Sequence, residues 1–417
     1  MNDVPNWSDL LPRVGAAYDL FGNGRTALKV NFARYVRKEG TGIADALNPI
    51  NTSVNAVSRV WSDTNSNFVP DCDLTNFLAN GECAQISNLN FGRPNVTTRW
   101  SDEVRKGWGV RPSNWDISID MQQQIGANLS LSGGYNRTWA DRFRVTDNLL
   151  VTPADFDPFC ITAPTNPDLP NGGGYQVCGL YDVRPSKFGQ VDNVVVPAKD
   201  FGTQKRVSNF FNLNVDTRFA SGLLIRGGID GGRTVSDICF TVDSPQGNAG
   251  TGVAAAALLP GQLHCRVSPP IMGSTQIKLQ GSYPLPGEFA VSAIFQNVPT
   301  VPYEAIYRAT NREIAPSLGR NLAACGARTI DTCPATVNVP LLNPGQSYEA
   351  RRTQLDLRLT KSFKLSEKQR FQANLDVYNV GNSGALLTSN GNFGAAWRNP
   401  LVIVDGRLFQ ISGQLTF

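Results

Sequence analysis

Apolar and polar residues alternate along this chain with a period of two, in paired runs joined by tight turns. The last run, residues 407–417, places Phe409, Ile411, Leu415 and the terminal Phe417 among Leu408, Gln410, Ser412, Gln414 and Thr416. Successive side chains of a strand point to opposite faces, so such a run offers one apolar face and one polar face. The cleanest alternation interleaves Trp115, Ile117, Ile119 and Met121 with Asp116, Ser118, Asp120 and Gln122, and it returns through Leu129, Leu131, Tyr135 and Trp139 after Gly126-Ala127-Asn128.

Four further pairs follow the same rule. The first covers about residues 13–21 and 26–35 around Gly22-Asn23-Gly24, and Asn-Gly between alternating runs is a strong hairpin signal. Another sets Phe211, Leu213, Val215 and Phe219 before Ser221-Gly222 and Leu223, Ile225 and Ile229 after it. Pro286-Gly287 divides Ile277, Leu279 and Tyr283 from Phe289, Val291, Ala293 and Phe295, and residues 366–368 divide Leu355, Leu357, Leu359 and Phe363 from Phe371, Leu375 and Val377. With the last run, about eleven strands are predicted.

Every second connection is long: about residues 37–113, 141–204, 237–273, 299–348 and 381–400. Structureless loops of that size are uncommon in compact soluble domains. Short turns at one end and long loops at the other are the arrangement of outer-membrane barrels. Tyr18, Phe21, Phe219, Tyr283, Phe289, Phe363, Phe371 and Phe417 gather beside the short turns, as an interfacial aromatic girdle would. The predicted fold is therefore all-β, an antiparallel transmembrane β-barrel with long extracellular loops, in the bacterial outer membrane. Such barrels end on a strand closed by an aromatic residue, which marks Phe409, Ile411, Leu415 and Phe417 as the strand offered to the outer-membrane assembly machinery.

Composition narrows the alternatives. Charged residues make up 17% of the chain and glycines number 39, a balance poor in helix formers. The longest apolar stretch, residues 253–259, is too short to cross a bilayer as a helix, so spanning has to use strands. The net charge of +4 is spread along the chain, which excludes the basic footprint of a nucleic-acid binder. Residues 1–9 carry neither a basic leader nor an apolar core. For an outer-membrane protein that implies a missing piece.

Eight cysteines fall two by two within the four longest loops: Cys72 with Cys83, Cys160 with Cys178, Cys239 with Cys265, and Cys325 with Cys333. None lies in a predicted strand. Segregation into separate loops favours four local disulfides and an oxidising compartment. Zinc has almost no ligands to use, because there is no C-x-x-C and the only histidine is His264. One histidine also rules out a catalytic triad or a histidine-based metal centre, and no phosphate-loop or hydrolase motif occurs. Gly172-Gly173-Gly174 reads as turn geometry, and Asp155 and Asp157 as loop carboxylates, with calcium binding as the alternative. No enzyme activity and no cofactor are expected. Trp61, Trp100, Trp108, Tyr175 and Tyr181 could stack on a ligand, with packing of loop on loop as the alternative.

Residues 5–27, PNWSDLLPRVGAAYDLFGNGRTA, resemble the mid-barrel stretch of large TonB-dependent outer-membrane receptors of the Oar-like kind. Residues 175–183 (YQVCGLYDV), 231–234 (GGRT), 282–286 (SYPLP) and 371–379 (FQANLDVYN) look like the same family, in order along essentially the whole chain. The resemblance implies a 22-stranded barrel filled by an N-terminal plug and energised by the TonB complex through a TonB box. Neither plug nor TonB box is present here, and about eleven strands correspond to the C-terminal half of such a barrel. Each open edge would leave about ten backbone groups without partners in hydrocarbon, at several kcal/mol apiece. The chain is therefore expected to be a fragment of a longer gene product, or of a gene split at Met1. The expected function is the barrel portion of an active transporter for a nutrient of the siderophore, carbohydrate or peptide class. The alternative is a structural or adhesive surface barrel that transports nothing. A passive porin is disfavoured by loops that would restrict the mouth, and a soluble β-sandwich by their length.

Overall fold

The structure is a computed structural model, and it describes residues 5–96, 98–248 and 264–417; the apolar stretch 253–259 lies outside them. Its frame is one antiparallel sheet whose main strands follow chain order. These are β1 (Arg13–Asp19), β2 (Thr26–Val36), β3 (Ser113–Ile125), β4 (Leu129–Asp141), β5 (Lys205–Arg218) and β6 (Leu224–Asp237). They continue as β7 (Gln276–Leu285), β8 (Phe289–Val298), β9 (Arg352–Lys364), β10 (Arg370–Tyr378) and β11 (Leu408–Thr416). A short strand, Arg266–Val267, adds to β6. All of the predicted strands are present, several longer than the alternation alone indicated, and the fold is all-β and antiparallel as expected. Among the described residues β1 and β11 each pair with one neighbour only, so both sheet margins are open.

Pairing register carries the alternation across the sheet. On one face Phe32 meets Ile117, Ile119 meets Tyr135, Leu213 meets Ile229, Phe295 meets Leu355, Leu359 meets Leu375 and Val377 meets Phe409. The opposite face is polar and cross-linked. Asp116 accepts from Asn136 Nδ2 (3.1 Å) and Thr138 Oγ1 (2.8 Å), Arg226 pairs with Asp216 (2.9 Å), and the Arg358 guanidinium bonds Asp376. A slip of one residue in any strand would turn its apolar set to the wrong side, which is why the register is well specified.

Rows of paired residues also run obliquely to the strands. One row passes Leu355, Phe295, Leu279, Gly227, Val215, Leu131, Gln123 and Thr26. Leu355 stands nine residues from the turn end of β9 at Lys364, whereas Thr26 is itself the turn-end residue of β2. The row slips by roughly one residue per strand, the stagger that curving a sheet into a barrel requires.

The apolar face is uncovered. Ile411 is 84% and Phe417 91% exposed, and Val14, Tyr18, Phe211, Leu279 and Leu359 lie open on the same side. The largest buried core lies instead among the long connections. Phe159, Ile161, Val177 and Leu180 from the β4–β5 connection pack with Ile314, Leu318, Val337 and Val339 from the β8–β9 connection, and with Trp397 before β11. This corrects the reading of those stretches as irregular. They hold hairpins of their own, Phe156–Thr162 with Gln176–Val183 and Ile306–Thr310 with Thr336–Pro340, and the helix Asn311–Leu318. Cys160 and Cys178 therefore do lie in strands, because the hairpin that carries them buries its apolar side in the loop core.

Candidate functional site

The elements that leave the long-loop end of the sheet form the candidate site. Their scaffold is fixed first by the four disulfides, which join Cys72 to Cys83, Cys160 to Cys178, Cys239 to Cys265 and Cys325 to Cys333. Each bridge stays within one connection and none includes a residue of β1 to β11. Cys325 is buried in the loop core, so the last bridge also anchors the segment after the helix.

Polar contacts then tie one connection to another. Arg320 donates from Nη2 to Asp157 Oδ2 (2.8 Å), from Nη1 to Asp182 Oδ2 (2.5 Å), and to the carbonyl oxygens of Asp182 and Val183. Burial pushes the Asp157 carboxyl up, but the bonds from Arg320 and Arg184 outweigh it and hold that carboxyl below its ordinary value. Arg398 pairs with Glu349 and Asp168 and stacks over Tyr303, joining the segment before β11 to the two other connections. Asn311, fully buried, donates to Asn321 Oδ1 (3.0 Å) and accepts from Leu322 N (2.8 Å). A buried amide satisfied on both sides fixes the chain beyond the helix.

The helix Asn311–Leu318 begins on a capping box. Thr310 N and Oγ1 both donate to Glu313 Oε2 at 2.7 Å, and the Tyr307 hydroxyl bonds the same carboxylate. Burial acts to raise the Glu313 carboxyl, yet the donors from Tyr307 and Thr310 hold it below the ordinary glutamate value. The Tyr307 phenol is pushed up to about 12 by burial and by its bond to Glu313.

Where β2 to β6 reach their loop ends lies a cavity of about 1300 Å³. Arg37, Arg144, Lys205 and Arg206 line it against Glu39 and Asp141, with Trp100 and Phe143 as apolar wall. Arg144 pairs with Glu39 at 2.8 Å, and burial holds its guanidinium below the usual arginine value. Asn193 Oδ1 and Gln204 Oε1 are buried in the same wall with no partner among the described residues. Four cations against two carboxylates leave this wall with excess positive charge.

The structure uses the residues singled out by sequence in different ways. Tyr175 donates to Leu341 O and Tyr181 to Val242 O, so both pack connection on connection. Trp100 lines the cavity, whereas Trp61 and Trp108 are exposed away from it. Asp157 is engaged by Arg320 and Arg184, and Asp155 by Thr152. Gly173 turns with φ at +82°, and a side chain there would collide with Pro164 O, the turn geometry expected of that glycine run. His264 Nε2 lies 3.1 Å from Pro340 O, and burial holds the imidazole below its ordinary value. Phe409, Ile411 and Leu415 stand on the open margin strand β11, with Phe417 just past its end. Arg320, Asp182 and Arg398 carry no local sequence signal, since their partners lie far away along the chain. Among the described residues no cluster of His, Cys, Asp and Glu gathers as a metal site, and no helix is long and apolar enough to cross a membrane.

No family model matches the chain, and no curated protein matches it. Among solved structures it is similar to the outer membrane transporter YddB from Escherichia coli, at 12% identity and a TM-score of 0.46, over 97% of this chain and 40% of that one. The siderophore receptor PiuA from Acinetobacter baumannii aligns at 8% identity and a TM-score of 0.44, over 97% and 35%. The ferric-catecholate import receptor Fiu from K12 E. coli aligns at 12% identity and a TM-score of 0.40, over 97% and 34%. With TM-scores under 0.5, the likeness adds nothing to what the sheet itself shows, and the chain spans less than half the length of each of these proteins.

Proposed function

We propose that this chain forms part of the wall and mouth of an outer-membrane β-barrel that imports a nutrient, as the C-terminal half of a TonB-dependent receptor barrel. The observation that carries the reading is the two-faced sheet. Eleven strands in chain order keep a largely apolar face and a hydrogen-bonded polar face, with the stagger of a barrel, short turns at one end and disulfide-bridged connections at the other. An apolar face this large is tolerated when lipid covers it.

The open backbone edges of β1 and β11 need further strands in a bilayer, since hydrocarbon offers them no hydrogen-bond partners. Energy for transport would come from the TonB complex through a plug carried elsewhere in the full assembly. The strand ending on Phe417 is the element offered to the assembly machinery. The cavity at the mouth supports import over mere display, because it offers a space lined by charged and apolar side chains in which a nutrient can be held.

Spin labels test the wall directly. Labels at Ile119, Leu213 and Leu375 are expected to collide with oxygen dissolved in lipid, and labels at Asp120, Asn212 and Asn374 with a water-soluble nickel chelate. Equal accessibility of the two sets would refute the membrane reading. Uptake of candidate nutrients that survives deletion of the gene, or that ignores a proton uncoupler, would refute TonB-driven import while leaving the wall intact.

A further inference from the structure

The apolar face has a charged interruption near its loop end. Ile117, Arg137, Asn209 and Arg233 form one row across β3 to β6. The row toward the loops is Trp115, Trp139, Val207 and Val235, and the row toward the turns is Ile119, Tyr135, Phe211 and Gly231. Two arginines thus stand between apolar rows, both exposed. Asn209 Oδ1 accepts from Arg137 Nη1 (3.1 Å) and from the Tyr135 hydroxyl (2.7 Å), which holds the guanidinium fork along the surface. Neither arginine has a carboxylate partner among the described residues.

Resting on the membrane-wall reading above, we infer that Arg137 and Arg233 bind the phosphate of a lipid headgroup in the leaflet on the loop side. Charge complementarity decides the occupant. A guanidinium in an apolar belt is costly unless an anion meets it, and the planar fork of arginine matches phosphate oxygens two at a time. Two strand steps separate the arginines, about 10 Å, so both side chains can converge on one phosphate. The flanking Trp139 and Tyr135 are the residue types that settle at headgroup depth.

The test uses the protein extracted in mild detergent from the outer membranes of cells that express it. A diphosphorylated diglucosamine lipid, or its dephosphorylated form, is added, and retention is read by native mass spectrometry. The wild type is expected to keep the phosphorylated lipid and lose the other. Retention should fall by about tenfold or more in R137Q/R233Q, as the loss of charge-assisted bonds implies, and less in R137K/R233K, which keeps charge without the fork. Equal retention of the two lipids, equal retention by the glutamine variant, or displacement by inorganic phosphate would overturn the inference while the protein's presence in the membrane fraction keeps the wall reading. A protein absent from that fraction overturns both.

Discussion

The Arg320 guanidinium bonds Asp157 across 163 residues of chain, at 2.8 Å from Nη2 to Oδ2. It bridges the β4–β5 and β8–β9 connections at the edge of the loop core, with the carbonyl oxygens of Asp182 and Val183 as further acceptors. Replacing it with glutamine removes the cation between Asp157 and Asp182 and leaves Asp157 only the longer pair with Arg184. The R320Q variant is expected to lose roughly 2–3 kcal/mol of stability in the loop body, a figure for a half-buried charged network rather than a surface pair. Hydrogen exchange should quicken in Phe156–Thr162 and Gln176–Val183 and stay unchanged in β8 to β11.

Strand facing gives a second expectation. Leu213 lies on the apolar face and Asn212 beside it on the polar face. L213K should cost about 2–4 kcal/mol if that level is near the bilayer midplane, while N212K should be tolerated. The folded fraction, read from heat-modifiable gel migration, checks the pair.

Reduction of the disulfides should loosen the loops and spare the sheet. All four bridges close within single connections and none includes a residue of β1 to β11. Limited proteolysis after thiol treatment is expected to cut the connections and leave the eleven strands protected. Simultaneous loss of protection in the strands would show that the two parts unfold together.

The Tyr307–Glu313 contact makes the helix start sensitive to pH at both extremes. Glu313 has a lowered folded-state value, so its contribution is present above the ordinary glutamate value and is lost as pH falls through the folded one. Tyr307 is the reverse case: with its phenol raised from 10.0 to about 12, its contribution is present below pH 10 and is lost as pH rises toward 12. Absorbance at alkaline pH should show one phenol ionising late, and Y307F should remove it. E313A should open the helix end, at about 1 kcal/mol for the lost cap.

The sheet was legible because its signal is local. Ile117, Ile119 and Met121 declare a face within a window of five residues, and Gly22-Asn23-Gly24 declares the turn. The cysteine pairs were legible for a related reason, each pair lying in its own connection. The loop core was not. Phe159 and Val339 are buried against the same cluster, yet they come from different connections, and neither neighbourhood shows a sustained period. Phe32, Trp115 and Trp139 likewise stack in a line at the loop end of the apolar face, a second aromatic zone that short-turn flanks did not reveal.

Because no bridge links one connection to another, oxidation in this chain has no topological order to respect. Each connection can complete its own crosslink as soon as its two thiols emerge. A late or missing bridge therefore leaves one slack lobe rather than a knotted polypeptide, and repair by thiol exchange stays confined to that lobe.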